Sequence, residues 1–348
     1  MPCKAFFVGD PLLDLQIAHE GETLLRKYGL EPNGAIRAEE RHEYQDIVRE
    51  HQVTYVAGGG AQTAARAAAY LLPPSSVGFT GCVGNDAMAE QLRAATTTEG
   101  VNAAYLVRDG EQTGVCAVII TDEHRSMVTS LQAASKFDKA HLNSPEVAAL
   151  IDEAQAIYVE GFFLTHNAPA AVQLGQKARE PGKTFILNLS APFIAERFKS
   201  ELDAVLPYVD VVIANESEAK AWAVANDIST HPESSEPARH LASIPRAGAN
   251  TQDARGRTIV ITHSSSPTLL LSSPRSDSSA FEGHLLPVKP LSPSELVDTN
   301  AAGDAFAGGF VAAWVSGKSA EECVRVGQRM GAMCCGQVGP AFKWPKVE

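Results

Sequence analysis

The sequence reads as an α/β protein built around a mostly parallel sheet, and three observations lead there. Short apolar runs of strand character recur along the chain. Longer stretches of helical spacing fall between them, so that strands and helices alternate. The composition, 45% hydrophobic and 20% charged, is that of a globular chain. At 348 residues it can bury a core unaided, and about 150 residues per domain suggests two units.

The elements follow in order. Ala5–Val8 is the first apolar run, and residues 16–57 are charged and amphipathic, ending in Gln52-Val53-Thr54-Tyr55-Val56. Gln62–Leu72 has helical spacing, Val77–Val83 is the second apolar run, and Ala87–Thr97 is again helical. Residues 104–131 break the rhythm: Thr113–Thr121 and Ser126–Thr129 flank a turn at Asp122–Arg125 and read as a β-hairpin. Strand runs at Ala156–Val159, Thr184–Leu189, Val209–Ala214 and Thr258–Thr262 then alternate with helices at Ala168–Arg179 and Ser217–Asn226. The Ser- and Pro-rich stretch 264–279 reads as a surface hairpin, with Thr268–Leu271 as strand. Gly303–Val315 is the last helix singled out. Whether the two irregular regions combine into a small covering sheet is not decided by composition.

Lys and Arg total 29 against 41 Asp and Glu, a net charge of −12, so no basic footprint for a nucleic acid is expected. No apolar run approaches the roughly 18 residues of a membrane span, and the start reads as no signal peptide. The six cysteines form no Cys-x-x-Cys pair and have no metal-binding histidine spacing beside them. They read as free, buried thiols of an intracellular, cytoplasmic protein that could also enter the nucleus.

The most informative stretch is Val297–Phe310, which contains Asp298-Thr299-Asn300-Ala301-Ala302-Gly303-Asp304. Small residues at Ala301, Ala302 and Gly303 allow a tight turn and a close ligand, and a helix follows. Its first N–H groups lack intrahelical partners and suit an anion. Asp304 in that first turn could accept the proton of an attacking hydroxyl while the amides steady a phosphoryl group. The plainer alternative is an acid favouring the helix dipole and small residues allowing close helix packing. Other nucleotide motifs fail. Gly317-Lys318-Ser319 has Ala312 where a P-loop needs glycine, and Gly58-Gly59-Gly60 does not complete Gly-x-Gly-x-x-Gly.

Asp298–Asp304 resembles the Asp-Thr-x-Gly-Ala-Gly-Asp signature of the ribokinase-like (PfkB) sugar and nucleoside kinases. Gly9-Asp10-Pro11-Leu12-Leu13-Asp14, Ala57-Gly58-Gly59, Arg125-Ser126, Gly161–Thr165, Leu187–Phe193 and Asn215-Glu216-Ser217-Glu218-Ala219 occur in that family's order across nearly the whole chain. The resemblance implies a three-layer domain with a central mostly parallel sheet, over residues 1–15, 58–103 and 132–348. A small β-sheet lid is expected from residues 16–57 and 104–131. It implies transfer of the γ-phosphate of ATP, with Mg²⁺, to the 5′-hydroxyl of adenosine by a monomer with no nucleic-acid or membrane partner.

Residue by residue, the resemblance makes Asp304 the base. It places Ala301, Ala302, Gly303 and Arg125 on the transferring phosphate. Asp14 becomes the acceptor for both ribose hydroxyls, chemistry that suits two carboxylate oxygens. Gly58, Gly59, Asp10, Thr63 and Asn300 fall near the sugar, and Phe162, Leu12, Met127 and Thr129 near the base. Thr262, His263 and Ser264 fall near the nucleotide. Asn215 and Glu218 match a magnesium-phosphate motif, the metal held through water; from spacing alone they also make a helix capping box. A turn or cap for Asp14, a plain turn for Gly58 and Gly59, core packing for Phe162 and Met127, and an exposed turn for Arg125 stay open.

Four positions depart from the pattern. Asp10 replaces Asn, which removes an amide donor. Thr63 stands where Asn is usual. Ala301 replaces a glycine, which matters if that position needs positive φ, and Ser264 replaces another. A kinase for another or modified nucleoside or sugar, or a nucleoside-binding relative with weak or no turnover, therefore remains an alternative.

Overall fold

Alternation of apolar strands and helices produces a nine-stranded sheet. In chain order the strands are β1 (Ala5–Val8), β2 (Leu12–Ala18), β3 (Ala35–Arg37), β4 (Thr54–Gly58), β5 (Val77–Thr80), β6 (Cys82–Gly84), β7 (Val101–Ala103) and β8 (Leu106–Arg108). There follow β9 (Gly114–Thr121), β10 (His124–Ser130), β11 (Ala156–Glu160), β12 (Thr184–Asn188), β13 (Val211–Asn215), β14 (Thr258–His263), β15 (Ser266–Ser272) and β16 (Glu282–Leu286). This computed structural model describes residues 2–18, 23–27, 29, 35–37, 50–121, 124–229, 235–247, 256–272, 282–343 and 346.

The large sheet has the order β16-β15-β14-β13-β12-β11-β1-β5-β7. Strands β14 to β7 are parallel, and β15 and β16 add an antiparallel edge. Both faces are covered, as the apolar character of its central strands requires. Phe6 and Val8 of β1 join a core with Val147, Phe163, Leu174 and Trp222 from helices Pro145–Glu153, Gly161–Lys177 and Glu216–Ala225. Ala5 and Phe7 point the other way, toward Ala61, Phe306 and Val324 of helices Gly60–Leu71, Ala302–Trp314 and Ala320–Cys335.

A second sheet has the order β3-β10-β9-β2-β4, with β9 and β10 as the expected antiparallel hairpin. Strict alternation divides its two faces. Leu13, Leu15, Ile17, Val115, Ala117, Ile119 and Val128 turn into the core shared with Phe7 and Phe306. Leu12, Cys116 and Val118 turn the other way, with Met127 packed against them.

Two expected elements differ. Val77–Val83 divides at Gly81 into β5 and β6, which join different sheets. Gly81 packs on the Gly9 carbonyl and Pro11 with no room for a Cβ, and the chain bends there. The helix expected at Ala168–Arg179 begins already at Gly161, interrupted at non-helical Asn167 just before Pro169. The Ser/Pro-rich stretch pairs β15 with β16, while residues 273–281 between them lie outside the described residues. Among the described residues no helix is long and apolar enough to cross a membrane.

Candidate active site

The carboxyl ends of the parallel strands line one edge of the large sheet, where open α/β sheets gather ligands. Asp10 follows β1, Glu160 ends β11, Asn188 ends β12, Asn215 ends β13 and Thr262-His263 end β14. Helices Gly60–Leu71 and Ala302–Trp314 begin near this edge. A Cβ at Gly60 would stand 2.5 Å from Glu160 Oε2 and 3.0 Å from Asp304 Oδ1, so the glycine lets the two acids approach one backbone.

Glu160 is the hidden fastener of the site. It is buried, and its two oxygens accept from the Asp10 N–H at 2.6 Å and the Ala61 N–H at 2.7 Å. Burial holds its pKa well above the ordinary range, against the pull of those donors. Asp14, on β2, lies against Gly58, where any Cβ would overlap its carboxylate. Burial pushes Asp14 up to about 7, with Arg66 opposing and Asp304 and Asp298 adding to the shift. Arg66 donates to the Ala57 carbonyl and pairs with Glu99 at 2.8 Å, while Gln62 donates to the Gly58 carbonyl at 2.8 Å. The strand end beneath Asp14 is thus held on two consecutive carbonyls.

Ala301 caps helix Ala302–Trp314 in the left-handed region, at φ 59°, without a side-chain cap. Among the described residues, the Gly303 and Asp304 N–H groups have no acceptor. A Cβ at Gly303 would meet nothing within 4 Å, so the start of the helix borders open space at that residue. Asp298 pins the preceding loop by accepting from Asn300 N and Gly339 N, each at 2.9 Å. Burial raises Asp304 to about 7. A half-neutral carboxyl, two unpartnered amides and positive helix potential together suit proton transfer beside an anion.

Asn215 and Glu218 form the capping box anticipated from their spacing. Glu218 accepts from Asn215 N at 2.9 Å and Nδ2 at 2.7 Å, and burial raises it to about 7 with Asp304 adding to the shift. One buried carboxylate within the field of Asp304 fits a magnesium ion bound through water, since that ion keeps several waters and binds phosphates directly. Among the described residues no group of three or more His, Cys, Asp or Glu is placed to hold a metal.

Leu12, Met127 and Thr129 gather on the face of the second sheet that carries Asp14, with Thr129 donating to Cys116 Sγ at 3.4 Å. Phe162 stacks obliquely on Phe193, 6.0 Å between ring centres. Thr63 is buried in the glycine-led helix. Asp10 is buried as well, its backbone held by Glu160. Arg125 stands opposite Ile120 in the hairpin; its side chain lies outside the described residues. Thr262 donates to the Ala214 carbonyl, His263 contacts the Pro267 carbonyl, and Ser264 is left-handed at φ 52°. Both Ala301 and Ser264, which replace glycines of the family pattern, therefore hold glycine-like backbone.

Sequence reasoning missed Glu160, Gly60, Arg66 and Phe193. Glu160 carried a signal: it is the one acid closing an otherwise apolar strand, Ala-Ile-Tyr-Val-Glu, at the ligand edge. Arg66 carried none, because its partners come from residues 57 and 99.

Comparison with known proteins gives a consistent picture. Residues 22–347 match the model of the pfkB family of carbohydrate kinases. An adenosine kinase of Schizophyllum commune is 50% identical, over 99% of this chain and 98% of its own length. The adenosine kinase of Anopheles gambiae, solved with P1,P4-di(adenosine-5) tetraphosphate, superposes with a TM-score of 0.88 at 36% identity, over 96% of each chain. That of Schistosoma mansoni, solved with adenosine, gives 0.89 at 28% identity, over 99% of this chain and 98% of that one.

Proposed function

This chain belongs to the pfkB family of carbohydrate kinases, and from that premise we propose that it phosphorylates adenosine: the γ-phosphate of ATP passes to the 5′-hydroxyl, giving AMP and ADP. The observation that carries the site assignment is Asp304, raised to about 7, beside the two unpartnered amides at the start of its helix. Asp304 accepts the proton as the 5′-oxygen attacks, and the Gly303 and Asp304 amides steady the phosphoryl oxygens. Asp14 accepts from the vicinal ribose hydroxyls, and Gly58 keeps the space it needs. Leu12, Met127 and Phe162 supply apolar and aromatic walls for the base.

Glu218, with Asn215, would hold magnesium through water, and the ion's chemistry there is to screen phosphate charge. Arg125, in the hairpin, is assigned to the same charge. The second sheet acts as the lid that excludes water, which otherwise competes as acceptor. Six free thiols fit a reducing compartment such as the cytoplasm.

The test is ADP release from ATP and magnesium across a panel of nucleosides and sugars. Adenosine is expected to give the highest kcat/KM. Faster turnover of another acceptor would reassign the substrate, and tight adenosine binding with no ATP-dependent product would remove the catalytic reading.

A further inference from the structure

Asp10, which the family resemblance places near the sugar, meets a histidine that has no role assigned above. His166 Nε2 lies 3.1 Å from Asp10 Oδ1, with 11% and 4% of the two side chains exposed. Both Asp10 oxygens and His166 Nε2 are buried without an aligned hydrogen bond. On the far side of the ring, Nδ1 is 3.1 Å from Thr165 Oγ1, whose hydroxyl donates to the Phe162 carbonyl at 2.8 Å. A hydroxyl has one proton and a carbonyl can only accept. Both contacts are satisfied together only when Nδ1 carries a proton. A neutral ring would then turn a bare Nε2 on a buried carboxylate, an arrangement a low-dielectric site does not tolerate. One further proton therefore belongs to the pair, on imidazole or carboxyl.

The pair links two walls of the site. Asp10 precedes β2, which carries Leu12 and Asp14. His166 ends the stretch of helix that carries Phe162, just before the break at Asn167. The family pattern has Asn at position 10; its amide could donate to a neutral imidazole and would need no extra proton. Here the acid and the histidine make the link conditional on one.

We propose that Asp10 and His166 are a proton-holding positioning pair, and that the nucleoside binds well only while the pair keeps its proton. The proposal rests on the adenosine kinase reading. The other titratable groups around it are Glu160, whose oxygens hold the Asp10 and Ala61 amides, and Asp304 beyond Glu160. Cys82 also faces Asp10, with Arg108 beside the thiol. Thr165 and the Phe163 ring contact the imidazole itself.

The pair predicts a limb of opposite sign to that of Asp14. Asp14 must lose a proton to accept from the ribose, so it lowers the KM for adenosine as pH rises through about 7. Loss of the pair's proton raises that KM at higher pH, by about tenfold per pH unit beyond its midpoint. The KM for ATP does not follow. Asp10→Asn is expected to abolish the high-pH limb. His166→Val strands a buried carboxylate and is expected to raise the KM for adenosine at every pH by about tenfold or more. Asp10→Asn/His166→Val removes the stranded charge and is expected to recover most of that loss.

Imidazole ¹⁵N shifts of the substrate-free protein read the same proton directly. Nδ1 is expected to carry a hydrogen, with Thr165 Oγ1 as its acceptor, and the ring shifts are expected to change together with the KM limb. A neutral Nε2–H ring throughout, a limb that survives Asp10→Asn, or a double variant no better than His166→Val would each overturn the proposal. Should His166→Val fail to fold, Asp10→Asn, the double variant and the ¹⁵N titration still decide. Wild-type enzyme that releases no ADP with adenosine would instead overturn the kinase reading, and the ring titration would still test the pair.

Discussion

Replacing Asp304 by Asn separates the chemical role of this carboxylate from its structural cost. The amide keeps the size and hydrogen-bonding outline but cannot take up the 5′-hydroxyl proton, so kcat should fall by about 10²–10⁴, the usual worth of a general base. Stability should move the other way. Burial carries Asp304 from 3.8 to about 7, which at 1.36 kcal/mol per pH unit sets an upper bound of about 4 kcal/mol against the ionised form. The residue is only half-buried by its surface, so about 1–2 kcal/mol is the expected gain above pH 7. The sign follows from linkage: the folded state holds a proton that the unfolded chain has released, so this carboxyl's contribution falls as pH rises from about 4 to about 7. Turnover by ADP release, paired with thermal melts from about pH 5 to about pH 8, reads both effects. A variant within tenfold of wild-type kcat, or melting curves that stay parallel with pH, would refute the reasoning.

Gly58→Ala drives a methyl into the Asp14 carboxylate. It should raise the KM for adenosine by about 10²-fold or more, a loss of roughly 3 kcal/mol, while the KM for ATP stays within a few-fold; equal changes in both would point to global damage. Ala301→Gly relieves a left-handed alanine at φ 59° and should stabilise the fold by about 1 kcal/mol in urea or guanidinium titration; loss of stability would show that the methyl packs usefully. Glu218→Ala removes the carboxylate assigned to magnesium, so the magnesium concentration giving half-maximal activity should rise about tenfold. An unchanged magnesium curve with a lower melting temperature would leave Glu218 as a helix cap.

The centre of the large sheet was legible because strands such as Ala5–Val8 are continuous apolar runs. The edge strands β7 (Val-Asn-Ala) and β16 (Glu-Gly-His-Leu-Leu) are not, and were not read. β2 was not read as a strand, although Leu13, Leu15 and Ile17 alternate with Asp14 and Gln16. Aspartate is poor in strands, so Asp14 masks the alternation around it. At the site, Asn215 and Glu218 were legible because both ends of their contact lie within one helical turn. Arg66 was not, because its partners come from other segments, and Glu160 showed only as the acid closing an apolar strand, with its distant partners unrecorded in spacing. Ala301 falls between: the missing glycine was visible, but only the backbone angle shows that the position does need positive φ.

The two faces of β2 set a limit on how this protein can change length. Leu13 and Leu15 fill the common core, while Asp14 between them faces the ligand side. Slipping the strand by one residue would exchange every side chain across the sheet, sending an acid into hydrocarbon and a leucine to the sugar. The short turn through Gly9, Asp10 and Pro11 cannot absorb such a slip, because Glu160 clasps the Asp10 amide and Gly81 packs against Pro11. Among descendants of this gene, residues 9–15 should therefore tolerate neither insertions nor deletions.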